Sequence, residues 1–248
     1  MLKTICDFLN HLLQIEQVED YPNALNGLQV ENNGRVTKVG AAVDASLATI
    51  ELAIGEKVNL LLVHHGLFWD GLRPIKGVFY RKLERLIAAN LAVYSAHLPL
   101  DLHAELGNNV LLAKALRLPG AEVLADRAKP LGISIATELD LEELLERLRE
   151  VLGGAPWLCA SGPQKVRKIG IITGAAGTLL ERVAAQGIDT LITGEGPHHT
   201  FALAEELRVN LIYGGHYATE TFGVRALAAK VATTFDLPWC FLDHPSGL

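Results

Sequence analysis

Four short segments of the sequence concentrate side chains that bind transition metals. Counted with His103, they hold seven of the nine histidines. Imidazole nitrogens and carboxylate oxygens without a thiolate suit Zn, Fe, Mn, Co or Ni, and do not choose among these metals. The sequence therefore predicts a metal site built from nitrogen and oxygen donors. The candidate residues are His64, His65, His97, Asp101, Glu195, His198, His199, His216 and Glu220.

His64 and His65 directly follow an apolar run, residues 60–63, that is predicted to be a buried strand. Neighbouring side chains of a regular strand point to opposite faces, so adjacent histidines would not share one ion. At a strand end that turns at Gly66, both imidazoles can enter one pocket and reach different points. Two close metal ions fit this arrangement better than one. For the pair alone, one packed and one solvated histidine remains an alternative.

The segment His97-Leu-Pro-Leu-Asp101 is predicted to be a loop that leaves a short strand, residues 91–94. Pro99 disfavours a helical conformation at Leu98, which favours the loop. Asp101 offers an anionic oxygen ligand. His97 is either a ligand itself or a partner that orients one.

The segment Gly214-Gly-His216-Tyr-Ala-Thr-Glu220 follows a predicted strand, residues 211–213. Its two glycines permit backbone bends close to a ligand. A helix predicted over residues 218–232 places Glu220 in its first turn, where the helix dipole alone would favour a carboxylate. The functional interpretation is that Glu220 bridges both ions, because negative charge between two cations stabilises their close approach.

Glu195, His198 and His199 belong to the segment Gly194-Glu-Gly-Pro-His-His199. These side chains could line a substrate pocket, with one of the histidines donating or accepting a proton. They could equally form an exposed loop without a role in binding. The sequence leaves both interpretations open.

The elements that position these segments alternate between apolar strands and amphipathic helices. This alternation predicts an α/β protein with helix-covered mixed sheets. The predicted strands are residues 39–43, 60–63, 91–94, 132–136, 157–160, 169–173, 190–193 and 211–213. The predicted helices are residues 46–56, 81–89, 141–152, 177–186, 202–207 and 218–232.

An internal repeat relates the two halves of the chain. Residues 36–40 (VTKVG) match residues 166–170 (VRKIG), 130 positions further on. With an offset of 120 and one residue of slippage, His97 and Asp101 fall on His216 and Glu220. Coincidence of hydrophobic period is the alternative, but it would not align polar residues at strand ends. We expect related units whose strand ends face one site.

Composition excludes several classes of protein. Half of the 248 residues are hydrophobic, and the net charge of −6 gives no overall electrostatic reason to bind nucleic acid. The N-terminal residues 1–17 fit an amphipathic helix better than a signal peptide, and no apolar run is long enough to span a bilayer. Three scattered cysteines indicate a reducing compartment, so we expect a cytoplasmic protein without a membrane partner.

Four motifs and their order carry a resemblance to a known family. The motifs LLVHHGLFW, YSAHLPLD, ITGEGPHH and GGHYATE look like those of the Nif-three-like dinuclear metal-centre family, and Asn26-Gly-Leu-Gln-Val30 looks like its opening motif. The match covers essentially the whole chain. Members of this family are often labelled GTP cyclohydrolase I type 2 homologues.

The resemblance implies a ligand set and an architecture. His65 and Asp101 would hold one ion, His64 and His216 the other, with Glu220 shared and His97 beside the centre. Two interlinked α/β domains are implied, an outer one from residues 1–125 plus 217–248 and an inner one from residues 126–216. Members of the family typically form ring-shaped hexamers.

Three functions compete at this point. The first is a metal-dependent hydrolase of a small nucleotide-like or cyclic amide substrate, in which a bridging hydroxide attacks. The second is a non-catalytic metal-binding, metal-delivery or interaction module, which is plausible because no motif defines a nucleotide-binding loop. The third is a structural homo-oligomer with incidental metal.

Overall fold

The structure, a computed structural model, describes residues 1–69, 71–127 and 129–248. These residues form two compact units. Unit 1 contains Met1–Leu106 and Gly223–His244, and unit 2 contains Gly107–Phe222 and Pro245–Leu248. The domain boundaries predicted after residues 125 and 216 stay a prediction. Each unit carries one mixed sheet covered by helices, so the predicted α/β class is confirmed.

The helices and strands are numbered here in chain order. The helices are α1 (Leu2–Leu13), α2 (Leu47–Gly55), α3 (Gly77–Ala88), α4 (Leu98–Asp101), α5 (Asn108–Ala115), α6 (Leu141–Leu152), α7 (Leu180–Ala184), α8 (Thr200–Leu207) and α9 (His216–Phe235). The strands are β1 (Gly27–Val30), β2 (Val39–Asp44), β3 (Leu60–His65), β4 (Ala92–Ser95), β5 (Glu122–Asp126), β6 (Lys129–Asp140), β7 (Trp157–Cys159), β8 (Lys165–Ile172), β9 (Thr190–Thr193), β10 (Asn210–Tyr213) and β11 (Trp239–Phe241).

The sheet of unit 1 has five strands in the order β1-β4-β3-β2-β11. Strand β1 is antiparallel to β4, and the remaining pairs are parallel. The central strands are continuous apolar runs because both faces of the sheet are covered. Ile5 and Leu9 of α1 pack with Leu227 of α9 against one face, and Ile50 of α2 packs with Leu86 of α3 against the other.

The sheet of unit 2 has six strands in the order β5-β6-β8-β9-β10-β7. Strands β8, β9 and β10 are parallel, whereas β5, β6 and β7 pair in the antiparallel sense. Leu112 of α5 and Leu144 of α6 bury one face, and Leu180 of α7 and Ala204 of α8 bury the other. The three parallel strands therefore end at one edge, which carries the loops that follow β9 and β10.

Strand register reproduces the repeat predicted from the sequence. In unit 1, Val39 of β2 pairs with Leu60 of β3, and in unit 2, Ile169 of β8 pairs with Thr190 of β9. Both members of the second pair lie 130 positions after those of the first (169 − 39 and 190 − 60). The parallel β-α-β arrangement of the two units is thus repeated with the same register.

At the third parallel strand the repeat has a different offset. Leu60 pairs with Ala92 in unit 1, and Thr190 pairs with Asn210 in unit 2. The corresponding residues are 118 positions apart (210 − 92), so the predicted offset of 120 was two residues too large. The loops before the third strands differ in length, and hydrophobic pattern alone does not fix the length of a loop.

Two elements near the candidate residues differ from the prediction. Strand β3 does not end at Val63 but continues to His65, which pairs with Asp44 of β2. The segment predicted as a loop, residues 97–101, forms the one-turn helix α4. Pro99 occupies its first turn, where an N–H group would have no partner within the helix and its loss costs nothing.

Helix α9 begins earlier than predicted. Its first residue is His216, whereas the sequence pattern predicted residue 218. Gly215 has a positive φ of 93°, which lets the chain turn sharply from β10 into the helix. Glu220 consequently lies in the second turn and not the first, one helical turn after His216.

Candidate metal centre

Three histidines of unit 1 come together at the ends of two neighbouring strands. His64 and His65 are the last residues of β3, and His97 follows β4. Each offers one ring nitrogen, and these three nitrogens lie within 4.8 Å of one another. Pairing between β3 and β4 ends at Val63 and Ser95, whereas pairing between β3 and β2 continues to His65 and Asp44, so only one side of β3 is still paired at the histidines.

Each of these imidazoles is held through its Nδ1 atom by an oxygen acceptor. The Nδ1 of His64 lies 2.9 Å from the carbonyl oxygen of Ala96, and that of His65 lies 2.8 Å from Oδ1 of Asp44. The Nδ1 of His97 lies 2.9 Å from Oδ1 of Asp20. A carbonyl or a carboxylate can only accept, so each Nδ1 donates. The second nitrogen, Nε2, then carries the lone pair that a metal requires.

Asp101 adds a carboxylate to the histidines of unit 1. It is the last residue of α4 and is buried, with 8% of its surface exposed. Its Oδ2 atom lies 3.4 Å from Nε2 of His64. The one-turn helix begins at His97, whose carbonyl oxygen accepts from the backbone N–H of Asp101. The same turn therefore positions both His97 and Asp101.

Asp20 was not among the candidate residues predicted from the sequence, and Asn26 was named there only as the first residue of a family motif; both hold His97. Asp20 accepts from Nδ1 of His97, from the N–H of Leu98 and from the Asn26 amide, while Asn26 Oδ1 accepts from the N–H of His97. Burial raises the pKa of Asp20, but the hydrogen bond and the charge of His97, followed by the Asn26 bond, outweigh it and lower the pKa to about 2. Asp20 is therefore a carboxylate at neutral pH.

Unit 2 presents a second pair of candidate ligands on α9. His216 and Glu220 are four residues apart, so they share a helix face, and Nε2 of His216 lies 3.1 Å from Oε2 of Glu220. The Nδ1 of His216 lies 2.7 Å from Oε1 of Glu195, which repeats the arrangement of unit 1. The hydrogen bond to Glu220 raises the pKa of His216 to about 9; the charge of Glu220 and the Glu195 bond add to this effect, and burial opposes it.

The remaining predicted residues have a different environment. His198 and His199 are exposed in the turn before α8. Glu195, on the loop after β9, orients His216. A contact of Glu195, His198 or His199 with substrate stays a prediction.

The donor groups of each unit suit a divalent cation. Unit 1 offers three imidazoles and a carboxylate, and unit 2 offers an imidazole and a carboxylate. All four imidazoles donate from Nδ1 to an oxygen acceptor, which is the arrangement that fixes metal-binding histidines. The residues present therefore fit a metal site of mixed nitrogen and oxygen donors.

The described residues contain no helix with both the length and the apolar character needed to cross a membrane.

Comparison with known proteins identifies the family. The chain matches the family model Duf34/NIF3 (NGG1p interacting factor 3) over residues 1–246. A relative from Deinococcus radiodurans named GTP cyclohydrolase 1 type 2 homolog is 39% identical over 232 residues, covering 92% of this chain and 88% of the relative. One from Pyrococcus abyssi with the same name is 38% identical over 251 residues, covering 98% of both chains.

A solved structure shows the same fold. The crystal structure of a protein from Thermus thermophilus is 40% identical, covers 99% of both chains and superposes with a TM-score of 0.93. The resemblance inferred from the four sequence motifs is confirmed. The chain belongs to the Duf34/NIF3 family.

Proposed function

We propose that this protein binds two divalent metal ions and uses them to hydrolyse a small nucleotide-like or cyclic amide substrate. His65 and Asp101 would hold one ion, and His64 and His216 the other, with Glu220 shared between the two. The donor set suits Zn, Fe, Mn, Co or Ni. The name GTP cyclohydrolase 1 type 2 homolog, carried by the relatives, supports a hydrolytic reaction on a nucleotide-like ring.

One observation carries the proposal. Four imidazoles, on three different segments of the chain, each have Nδ1 fixed by a carbonyl or carboxylate oxygen. Folding has no general reason to fix the same ring nitrogen four times. A metal site does, because the fixed tautomer leaves Nε2 as the ligand atom and holds the ring in place before the ion arrives.

Two bound ions would supply a nucleophile and a clamp, since paired cations activate a bridging water and stabilise the developing oxyanion. The chain itself must handle the proton that the leaving group requires. His97 is suited to that role because Asp20 holds its Nδ1 and stabilises the imidazolium when Nε2 takes up a proton. Glu195 and either His198 or His199 are proposed to line the substrate pocket.

Metal content tests the proposal directly. Elemental analysis of the purified protein should find about two ions per chain, the number in the proposed centre. The double variant His64→Ala, Glu220→Gln should lose them, while Glu51→Gln, which removes one charge from an exposed ion pair with Arg85, should keep them. Absence of metal after reconstitution with Zn, Mn and Fe would overturn the proposal.

Hydrolysis is tested separately with GTP and other nucleotides. We expect turnover by the metal-loaded protein and none by the Glu220→Gln variant. Turnover by a metal-free variant would contradict the proposed mechanism.

A second candidate function is a metal-binding or metal-delivery module that recruits a partner without catalysis. The family description, NGG1p interacting factor 3, favours an interaction role. Metal retention separates the two functions. A delivery module should exchange its ions within the time of gel filtration, whereas a hydrolase should keep them.

Assembly and location extend the proposal. We propose that copies of this chain form a hexameric ring in the cytoplasm, acting on a small molecule and not on nucleic acid or a membrane. Light scattering after gel filtration should give about six times the chain mass of 26.8 kDa. A monomer at micromolar concentration would contradict the ring.

A further inference from the structure

Aromatic rings border the histidines of unit 1. The ring of Trp69 lies 4.7 Å from that of His97 at an interplanar angle of 89°, and 5.7 Å from the ring of His65. The ring of Tyr21 lies 5.7 Å from that of His97 at an angle of 36°. These separations are those of interacting aromatic pairs. Tyr21 and Trp69 therefore both contact His97.

Tyr21 is fixed in place yet largely exposed. Its backbone N–H donates to Oδ1 of Asp20 at 2.7 Å, and Asp20 also holds His97, so one carboxylate contacts both the His97 ring and the backbone of Tyr21. Pro22 follows and restricts the backbone of Tyr21. The side chain nevertheless has 64% of its surface exposed. An aromatic ring that is positioned next to a candidate site but not buried offers a face to a ligand.

Trp69 has its polar group satisfied within the chain. Its Nε1–H donates to the carbonyl oxygen of Gly66 at 3.1 Å, which fixes the indole beside the two histidines. The part of the indole that a ligand can contact is consequently apolar. Trp69 therefore supplies an apolar face, whereas Tyr21 supplies an aromatic face and a hydroxyl group that can donate or accept a hydrogen bond.

The polar groups nearest Tyr21 are already engaged with one another. Asp20 accepts from Tyr21, His97, Leu98 and Asn26, and the side-chain oxygen of Asn26 accepts from the N–H of His97. A sugar ring requires several hydrogen-bonding partners around its hydroxyl groups. A planar ring requires mainly a face on which to stack, because every base or similar heterocycle has a π surface.

We propose that Tyr21 and Trp69 form a binding subsite for a planar nitrogen heterocycle, which stacks on Tyr21 beside His97. This inference rests on the proposed function and names the residues that would recognise the ring of its substrate. A heterocycle stacked on Tyr21 would lie next to the imidazoles, because Tyr21 itself contacts His97. Neither aromatic residue is a proposed metal ligand, so the subsite and the metal centre can be tested separately.

Nucleoside binding tests the subsite without relying on turnover. Adenosine, guanosine and uridine, which lack phosphates that would bind a metal ion directly, are titrated calorimetrically into the metal-loaded protein, with ribose as the non-planar control. At least one nucleoside should bind more tightly than ribose. Tyr21→Ala should weaken that binding about tenfold, as expected for loss of one stacking partner, and Tyr21→Phe should restore most of it.

A matched control is available in the same unit. Tyr80 is also an exposed tyrosine, on α3, with its hydroxyl hydrogen-bonded to Glu84. Tyr80→Ala should leave nucleoside binding unchanged. Equal affinities for ribose and all three nucleosides, or unaltered binding by Tyr21→Ala, would overturn the subsite.

Fluorescence gives a second measurement that does not depend on one variant. The chain has three tryptophans, so Trp157→Phe with Trp239→Phe leaves Trp69 as the only indole. The bound nucleoside should change the emission of Trp69, and an unchanged emission at saturation would contradict a contact with Trp69.

Elemental analysis of Tyr21→Ala distinguishes the subsite from the proposed hydrolase. Retained metal with lost nucleoside binding supports both proposals. Absent metal in every variant, wild type included, contradicts the proposed hydrolase.

Discussion

Each imidazole of the proposed metal centre depends on an acceptor that is not itself proposed as a ligand. Asp44 plays this part for His65, with Oδ1 2.8 Å from Nδ1. Asp44→Asn keeps the shape of the side chain but removes the negative charge that strengthens the imidazole as a ligand. Loss of such a partner typically costs metal affinity about tenfold to a hundredfold. We expect this loss in competition with a chelating dye.

A control variant separates this effect from a general change in charge. Asp7, on α1, forms an exposed ion pair with Lys3, four residues before it. Asp7→Asn removes the same charge and should leave metal affinity as in the wild type. Equal affinities of Asp44→Asn and Asp7→Asn would show that the Asp44 hydrogen bond has no role in metal binding.

Protonation of a single residue, His103, makes the free energy of unfolding depend on pH. Its Nδ1 accepts from the backbone N–H groups of Glu105 and Leu106, both at 3.1 Å, and burial lowers its pKa below the usual 6.5. The unfolded chain therefore binds a proton at His103 more readily than the folded one does. The contribution of His103 to the free energy of unfolding therefore falls as the pH drops below about 6.5.

Asparagine can replace the accepting nitrogen without titrating. In chelator-treated protein, His103→Asn should weaken the decrease of unfolding free energy between about pH 7.5 and pH 5.5, measured by urea unfolding. The sign would be reversed if His103 were more basic in the folded chain. A parallel pH dependence of wild type and variant would show that His103 does not contribute.

Residue types alone predicted the candidate ligands but not the groups that orient them. A cluster of histidines and carboxylates at strand ends is visible in the sequence because these polar side chains directly follow apolar runs and stand out from them. Asp20 lies 77 positions from His97, and Asp44 lies 21 positions from His65. Nothing local in the sequence links such pairs, since the contact exists only after the strands have been aligned. Asp20 and Asp44 consequently required the structure.

At the scale of elements, errors occurred where local preference and the sheet disagree. Strand β3 was predicted to end before the histidines, because polar residues commonly leave a strand, but pairing with β2 extends it to His65. Four further elements were not predicted. Helix α5 begins with two asparagines, which are weak helix formers, and three-residue β11 is too short for a periodic pattern. Strands β1 and β5 were likewise missed.

The strand ends of unit 2 approach each other at Gly194. A Cβ atom at this position would lie 2.7 Å from the carbonyl oxygen of Gly174 and 2.7 Å from Cα of His216, both backbone atoms that cannot rotate away. Gly194→Ala should therefore lower the free energy of unfolding by about 1–3 kcal/mol, as overpacking generally does. Chemical denaturation provides the measurement.

Gly154 is the matched glycine for this experiment. It lies in the same unit, and a Cβ atom there would have no neighbour within 4 Å. Gly154→Ala should leave the free energy of unfolding unchanged or slightly raised, because alanine restricts the unfolded chain. Equal stability of the two variants would mean that the backbone around Gly194 relaxes without cost.

Across the whole molecule, the sequence predicted the internal repeat more accurately than it predicted the boundaries of individual helices and strands. The offset of 130 positions, which relates β2 to β8 and β3 to β9, was visible in the sequence because the apolar periodicity and the glycines of both units coincide. The third strands were misaligned by two residues, since both the loops and the helix before them differ in length, the helix being Gly77–Ala88 in one unit and Thr200–Leu207 in the other. Sequence comparison locates equivalent strands, whereas pairing in the sheet determines their alignment.

Bound metal should stabilise the folded chain as a whole. An ion that binds only the folded state adds free energy according to its concentration, about 2.7 kcal/mol at a hundredfold excess over its dissociation constant. Thermal unfolding of the metal-loaded protein should therefore occur at a higher temperature than that of chelator-treated protein. The double variant His64→Ala, Glu220→Gln should show no such difference, because it lacks ligands of both proposed ions. A metal-dependent shift of equal size in this variant would place the stabilising ion at other residues, and the proposed ligand set would be wrong.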